Sequence, residues 1–77
     1  MEIFGTPDPA ADDAEGIGRL LETTLYLSRE EMLKLAEFLN YCAEDCTKHE
    51  LWDHEHFCDF LARPDDQYPD VIVYLNR

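Results

Sequence analysis

The sequence predicts a small α+β domain in which one largely antiparallel four-stranded sheet carries a single long helix across one face, in the order ββαββ. Three observations predict it. A capped helical pattern occupies residues 28–49, strand-like stretches stand on both sides of it, and the chain is only 77 residues long. A chain of this length forms one domain and buries roughly 60% of the surface its unfolded form exposes. Residues 1–77 are therefore expected to share one modest core, with no room for a deep cleft.

The first element is MEIFGT, a short strand with Ile3 on one side and Phe4 on the other, stopped at Pro7. Residues 7–19 mix proline and glycine punctuation with acids among small side chains, the composition of a flexible acidic loop. A second strand follows in RLLETTLYLS. Leu21, Thr23, Leu25 and Leu27 fall on one face, and Leu20, Glu22, Thr24 and Tyr26 on the other.

Ser28 followed by Glu31 is a capping box, in which hydroxyl and carboxylate each accept from a backbone N–H that the helix leaves unpaired. Leu27 and Met32 flank it as a hydrophobic staple. Glu30 and Glu31 suit the positive end of the helix dipole, and Lys48 and His49 suit the other end. SREEMLKLAEFLNYCAEDCTKH thus predicts a helix of about five turns. Its apolar stripe reads Met32, Leu35, Ala36, Leu39, Cys42, Ala43 and Cys46, while Leu33, Phe38 and Tyr41 widen the apolar surface beyond one face.

WDHEHFCDF, residues 52–60, crowds together two of the three histidines, one cysteine and the only tryptophan. Strand parity sends Trp52, His54, His56, Cys58 and Phe60 to one face and Asp53, Glu55, Phe57 and Asp59 to the other. A helical reading stays open, because Phe57 and Leu61 share a helical face and Arg63–Pro64 would stop it. LARPDDQYPD then reads as a turn-rich loop, and VIVYL as the last strand.

Charge limits the partners. With 18 acidic and 6 basic side chains the formal net charge is −12, the wrong sign for a phosphate backbone or an anionic membrane surface. A basic partner is the favoured one, since the summed field steers it inward. No apolar run reaches the roughly 18 residues of a membrane span. Three cysteines, an odd number, and an opening MEIFGTPDPA without basic start or apolar run predict reduced thiols and a cytoplasmic protein.

Several chemistries compete at the crowded segment. A minority reading places a tetrahedral metal between Cys42, Cys46, His54, His56 and Cys58, although C-x3-C-x7-H-x-H-x-C matches no standard zinc module. The stronger reading makes His54 and His56 partly buried structural imidazoles, bonded to Asp or backbone groups and packed beside Trp52. If they are buried neutral, folding weakens as they gain charge below about pH 6.5. A Cys58–His56 dyad or a Glu55–Asp59 pair lacks any identifiable oxyanion hole or phosphate cradle, so the chain is expected to be no enzyme and to need no cofactor. Asp65, Asp66 and Asp70 lack the spacing of an EF-hand and read as a solvated acidic loop.

MEIFG, the helix LSREEMLKLAEFLNYCAED, Asp53 to His56 as D-H-E-H, and PDVIVYL together resemble small bacterial immunity proteins of polymorphic toxin systems. The resemblance covers the first strand and most of the chain from Leu20, with residues 7–19 as an insertion. Its L-x-x-L-A-x-F-L element is matched by Met32 to Leu39 with a shifted apolar start. What the resemblance implies is a small α+β domain that binds and blocks a cognate toxin without catalysis; it brings no set of binding residues.

On the residues themselves, the expected partner contacts are the acids Asp53, Glu55, Asp59, Asp65, Asp66 and Asp70 and the exposed helix face, with Tyr41, Trp52 or Tyr68 as aromatic anchors. The alternative to a toxin partner is a homodimer formed through sheet edges or the helix flank.

Overall fold

The computed structural model of the chain describes residues 1–10, 18–62 and 69–76. The elements, in order, are β1 (Glu2–Pro7), β2 (Leu20–Tyr26), α1 (Arg29–Asp45), β3 (His54–His56), α2 (Phe57–Phe60) and β4 (Ile72–Tyr74). The α+β class holds. The single four-stranded sheet does not form: β1 pairs antiparallel with β2, β3 pairs antiparallel with β4, and the two ribbons are separate sheets.

The physical reason lies in what each ribbon packs against. α1 lies against α2 and the β3–β4 unit, and Phe38, Cys42 and Phe57 form the centre of that packing. Met1, Leu35, Trp52, Phe60, Leu61, Val71 and Val73 close around them. The rings of Phe57 and Phe60 both meet Phe38, at centroid distances of 5.1 and 5.4 Å. Beside the first ribbon, Met1 packs against this core, and its ammonium group lies 3.0 Å from Glu31 in the first turn of α1. In the ribbon itself Ile3 is half-buried, the other residues of β1 are exposed, and every residue of β2 is exposed.

Within that ribbon, Glu2 stands opposite Tyr26, Ile3 opposite Leu25, Phe4 opposite Thr24 and Gly5 opposite Thr23. The register slips between Thr6 and Pro7, so Leu20 faces Pro7 and Leu21 has no partner on β1. Leu20 lies across Gly5, where an added Cβ would come within 2.6 Å of a Leu20 methyl. Phe4 and Tyr26 meet edge to face at 5.7 Å. Residues 7–19 fall largely outside the described part, apart from two bonds at its ends: Asp8 N–H to the Arg19 carbonyl, and Ala10 N–H to the Asp8 carboxylate, both 2.9 Å.

α1 starts where the capping box places it. Glu31 N–H donates to Ser28 Oγ at 3.1 Å, and Ser28 N–H donates to Glu31 Oε1 at 2.9 Å. It ends earlier than its sequence suggests, after 17 residues, so Lys48 and His49 lie beyond its last turn and not in it. Its buried face is also rotated from the leucine stripe. Phe38 and Cys42 are buried and Leu35 half-buried, whereas Met32, Ala36, Leu39 and Ala43 are exposed. Two overlapping apolar arcs were available, and the arc holding Phe38 won because the rings of Phe57 and Phe60 cover more area than an aliphatic contact would.

Candidate functional site

WDHEHFCDF breaks in the middle. His54–His56 is a strand, and the chain then turns into the one-turn helix α2. The strand parity expected for residues 52–60 therefore ends at His56. Phe57, assigned by parity to an acidic outer face, is 1% exposed and at the centre of the core, and Cys58 is buried beside it. Phe57 and Phe60, three apart, turn to the same side only in a helix.

Asp70 holds this break in place from across the ribbon. Its Oδ1 accepts from Cys58 N–H and Val71 N–H, both at 2.8 Å, and its Oδ2 lies 2.8 Å from His56 Nδ1. Burial works against the Asp70 carboxylate, but the bonds from Cys58, His56 and Val71 outweigh it and hold its pKa below the ordinary value. His56 moves the other way, raised above its usual range chiefly by the bond to Asp70 and against partial desolvation. Asp70, expected from the sequence as a docking acid, is thus a brace within the fold.

His54 lies beside His56 but has other partners. Its Nδ1 is 3.0 Å from Asp53 Oδ2, its ring stacks on Tyr74 at 4.6 Å, and the two imidazoles meet edge on at 5.3 Å. Both histidines are partly exposed and each is bonded to a carboxylate, so the condition of a buried neutral pair is not met. The proposed five-ligand metal set is not brought together either. Cys42 packs in the core, Cys46 Sγ donates to the Ala43 carbonyl at 3.4 Å, and Cys58 has left the strand row. Among the described residues, no three of His, Cys, Asp and Glu converge as metal ligands. All three cysteines are free thiols, and burial pushes that of Cys42 up in pKa.

No protein-family model, curated protein or solved structure matches this chain.

The remaining expected contacts separate into two groups. Trp52 is half-buried against the core. Asp65, Asp66 and Tyr68 lie outside the described residues. Asp53 and Asp59 are exposed, and Glu55 is half-buried. Tyr41 is 42% exposed with its ring 5.6 Å from that of Phe60, so one face is held and another is open.

Around Tyr41 the acids collect. Asp45 stands four residues after it on the same helix, while Glu37, four before it, is paired with Lys34 at 3.5 Å. Glu55 approaches from β3: Asp45 first, then burial and Glu55, push the Tyr41 hydroxyl above its ordinary pKa. Sequence reasoning named Tyr41 and Glu55 separately. It missed that the charge of Glu55 acts on Tyr41, because the two come near only in the folded chain.

A second feature borders the same helix. A shallow groove of about 150 Å³ is lined by Leu39, Ala43, Cys46, Trp52, Val73 and Tyr74, among others, and is mainly apolar.

Proposed function

We propose that this chain is a non-catalytic protein-binding module that acts as an immunity protein, engaging a bacterial toxin with a basic surface through the acidic face around Tyr41. The observation that carries the reading is the half-open Tyr41 ring with Asp45 and Glu55 acting on it from two elements. A ring so placed accepts an Arg or Lys side chain on its face by cation–π attraction, while the carboxylates pair the same charge. A net charge of −12 steers a basic partner towards it. The resemblance to small immunity proteins supplies the partner class, and an acidic face of this kind would occupy a basic nuclease cleft in place of phosphates.

Co-expression with the product of the adjacent gene tests the role. The expected result is that this product arrests growth alone and not in the presence of this chain; a harmless product, or toxicity that persists, removes the immunity reading. With a toxin in hand, Tyr41→Ala is expected to weaken binding by about 2 kcal/mol or more. Glu55→Lys is expected to slow association and reduce its salt dependence. Unchanged affinity in both variants would place the interface elsewhere.

A further inference from the structure

The β1–β2 ribbon is the least explained part of the molecule. It exposes Phe4, Leu20, Leu21, Leu25 and Tyr26, and a two-stranded ribbon alone is marginal in water.

The ribbon is also the place where the acidic chain carries little charge. Across Glu2–Pro7 and Leu20–Tyr26 the only charged side chains are Glu2 and Glu22, and Glu22 already accepts the Thr6 hydroxyl at 3.2 Å. A basic partner has little to attract it there. β2 reads LLETTLY, apolar at both ends and polar in the middle, with neither glycine nor proline. β1, by contrast, contains Gly5 and Pro7, both poor in a pairing edge.

We propose that the outer edge of β2 pairs antiparallel with the same edge of a second copy of this chain, about a two-fold axis at Thr23. This pairing joins two ribbons into one sheet across two chains. Thr23 meets its own counterpart, Glu22 faces Thr24 of the other copy and not a second carboxylate, and Leu21 faces Leu25 of the other copy twice. Leu21, 65% exposed and without a partner on β1, thereby gains one. Such an isologous contact closes on itself and protects both β2 edges. Two copies at −12 each repel, so self-association tightens with added salt, opposite to docking of a basic protein.

Analytical ultracentrifugation of the untagged chain, over roughly 1 to 200 µM, reads the mass. The expected result is a shift from 9.0 kDa to about twice that value, at lower concentration in higher salt. L21K/L25K and L21E/L25E should each be monomeric, and their equimolar mixture should recover the dimer, because every Leu21–Leu25 contact becomes a Lys–Glu pair. A monomeric wild type overturns the proposal, as does a dimeric single variant or a folded mixture that stays monomeric. Should the variants fail to fold, Thr23→Cys decides: mild oxidation should give a covalent dimer well above wild type and Glu2→Cys, and its absence overturns the pairing.

Discussion

At the residue scale, His56 and Asp70 decide a pH dependence that the sequence left conditional on burial. A buried neutral imidazole would have lost stability on protonation, but His56 is partly exposed and bonded to a carboxylate, so its folded pKa is raised. Its contribution is fully present below the ordinary value near 6.5 and is lost as pH rises through the folded value. Asp70, lowered, contributes above its own ordinary value near 3.9 and loses that contribution as pH falls through the folded one. The pair is therefore strongest between those two limits. Replacing His56 by Gln should cost most near about pH 6 and progressively less towards about pH 8.5, read as the difference in urea midpoint from wild type. A difference that stays flat or grows with pH would refute the assignment. His56 was visible in the sequence as a structural histidine; Asp70 as its partner was not, because the two lie 14 positions apart.

At the scale of elements, α1 was plainly legible and α2 only as the lesser of two readings. Ser28 and Glu31 are three residues apart and bond one another, so the start of α1 is written locally. α2 has no side-chain cap of its own and borrows Asp70, so only the shared helical face of Phe57 and Leu61 and the stop at Arg63–Pro64 point to it locally. It ends on a strained residue, since Ala62 follows it at a φ of 56°, in the left-handed region that favours glycine. Ala62→Gly relieves that strain and gives back part of the gain through a more flexible unfolded chain. The expected net result is a stabilisation of about 0.5 kcal/mol by urea unfolding. A loss of stability would mean that the Ala62 methyl makes a contact worth more than the strain.

At the scale of the whole molecule, a small core meets a large self-repulsion. Among the described residues only Phe38, Cys42, Phe57 and Cys58 are buried hydrophobics, and the chain holds them together against a net charge of −12. Screening should therefore matter more here than in a charge-balanced domain. The thermal midpoint is expected to rise between about 0.02 and 0.3 M NaCl, as the Debye length falls from tens of ångströms to below about 8 Å. A midpoint that falls over that range would show that ion pairs such as Met1–Glu31 outweigh the repulsion. Among the described residues no helix is long and apolar enough to cross a membrane.

By itself the sequence determined the α+β class, the start of α1, the pairing-prone stretches of β1 and β2, and the sign of the surface. Each of these rests on composition or on neighbours within about four positions, where helix and strand periodicities act. Tertiary structure decided which face of α1 turns inward, where WDHEHFCDF stops being a strand, and that the four strands divide into two sheets. Those outcomes were competitions between local patterns of similar strength. They were settled by Phe57 and Phe60 meeting Phe38 across the core, and by Asp70 reaching Cys58 over 12 positions of chain.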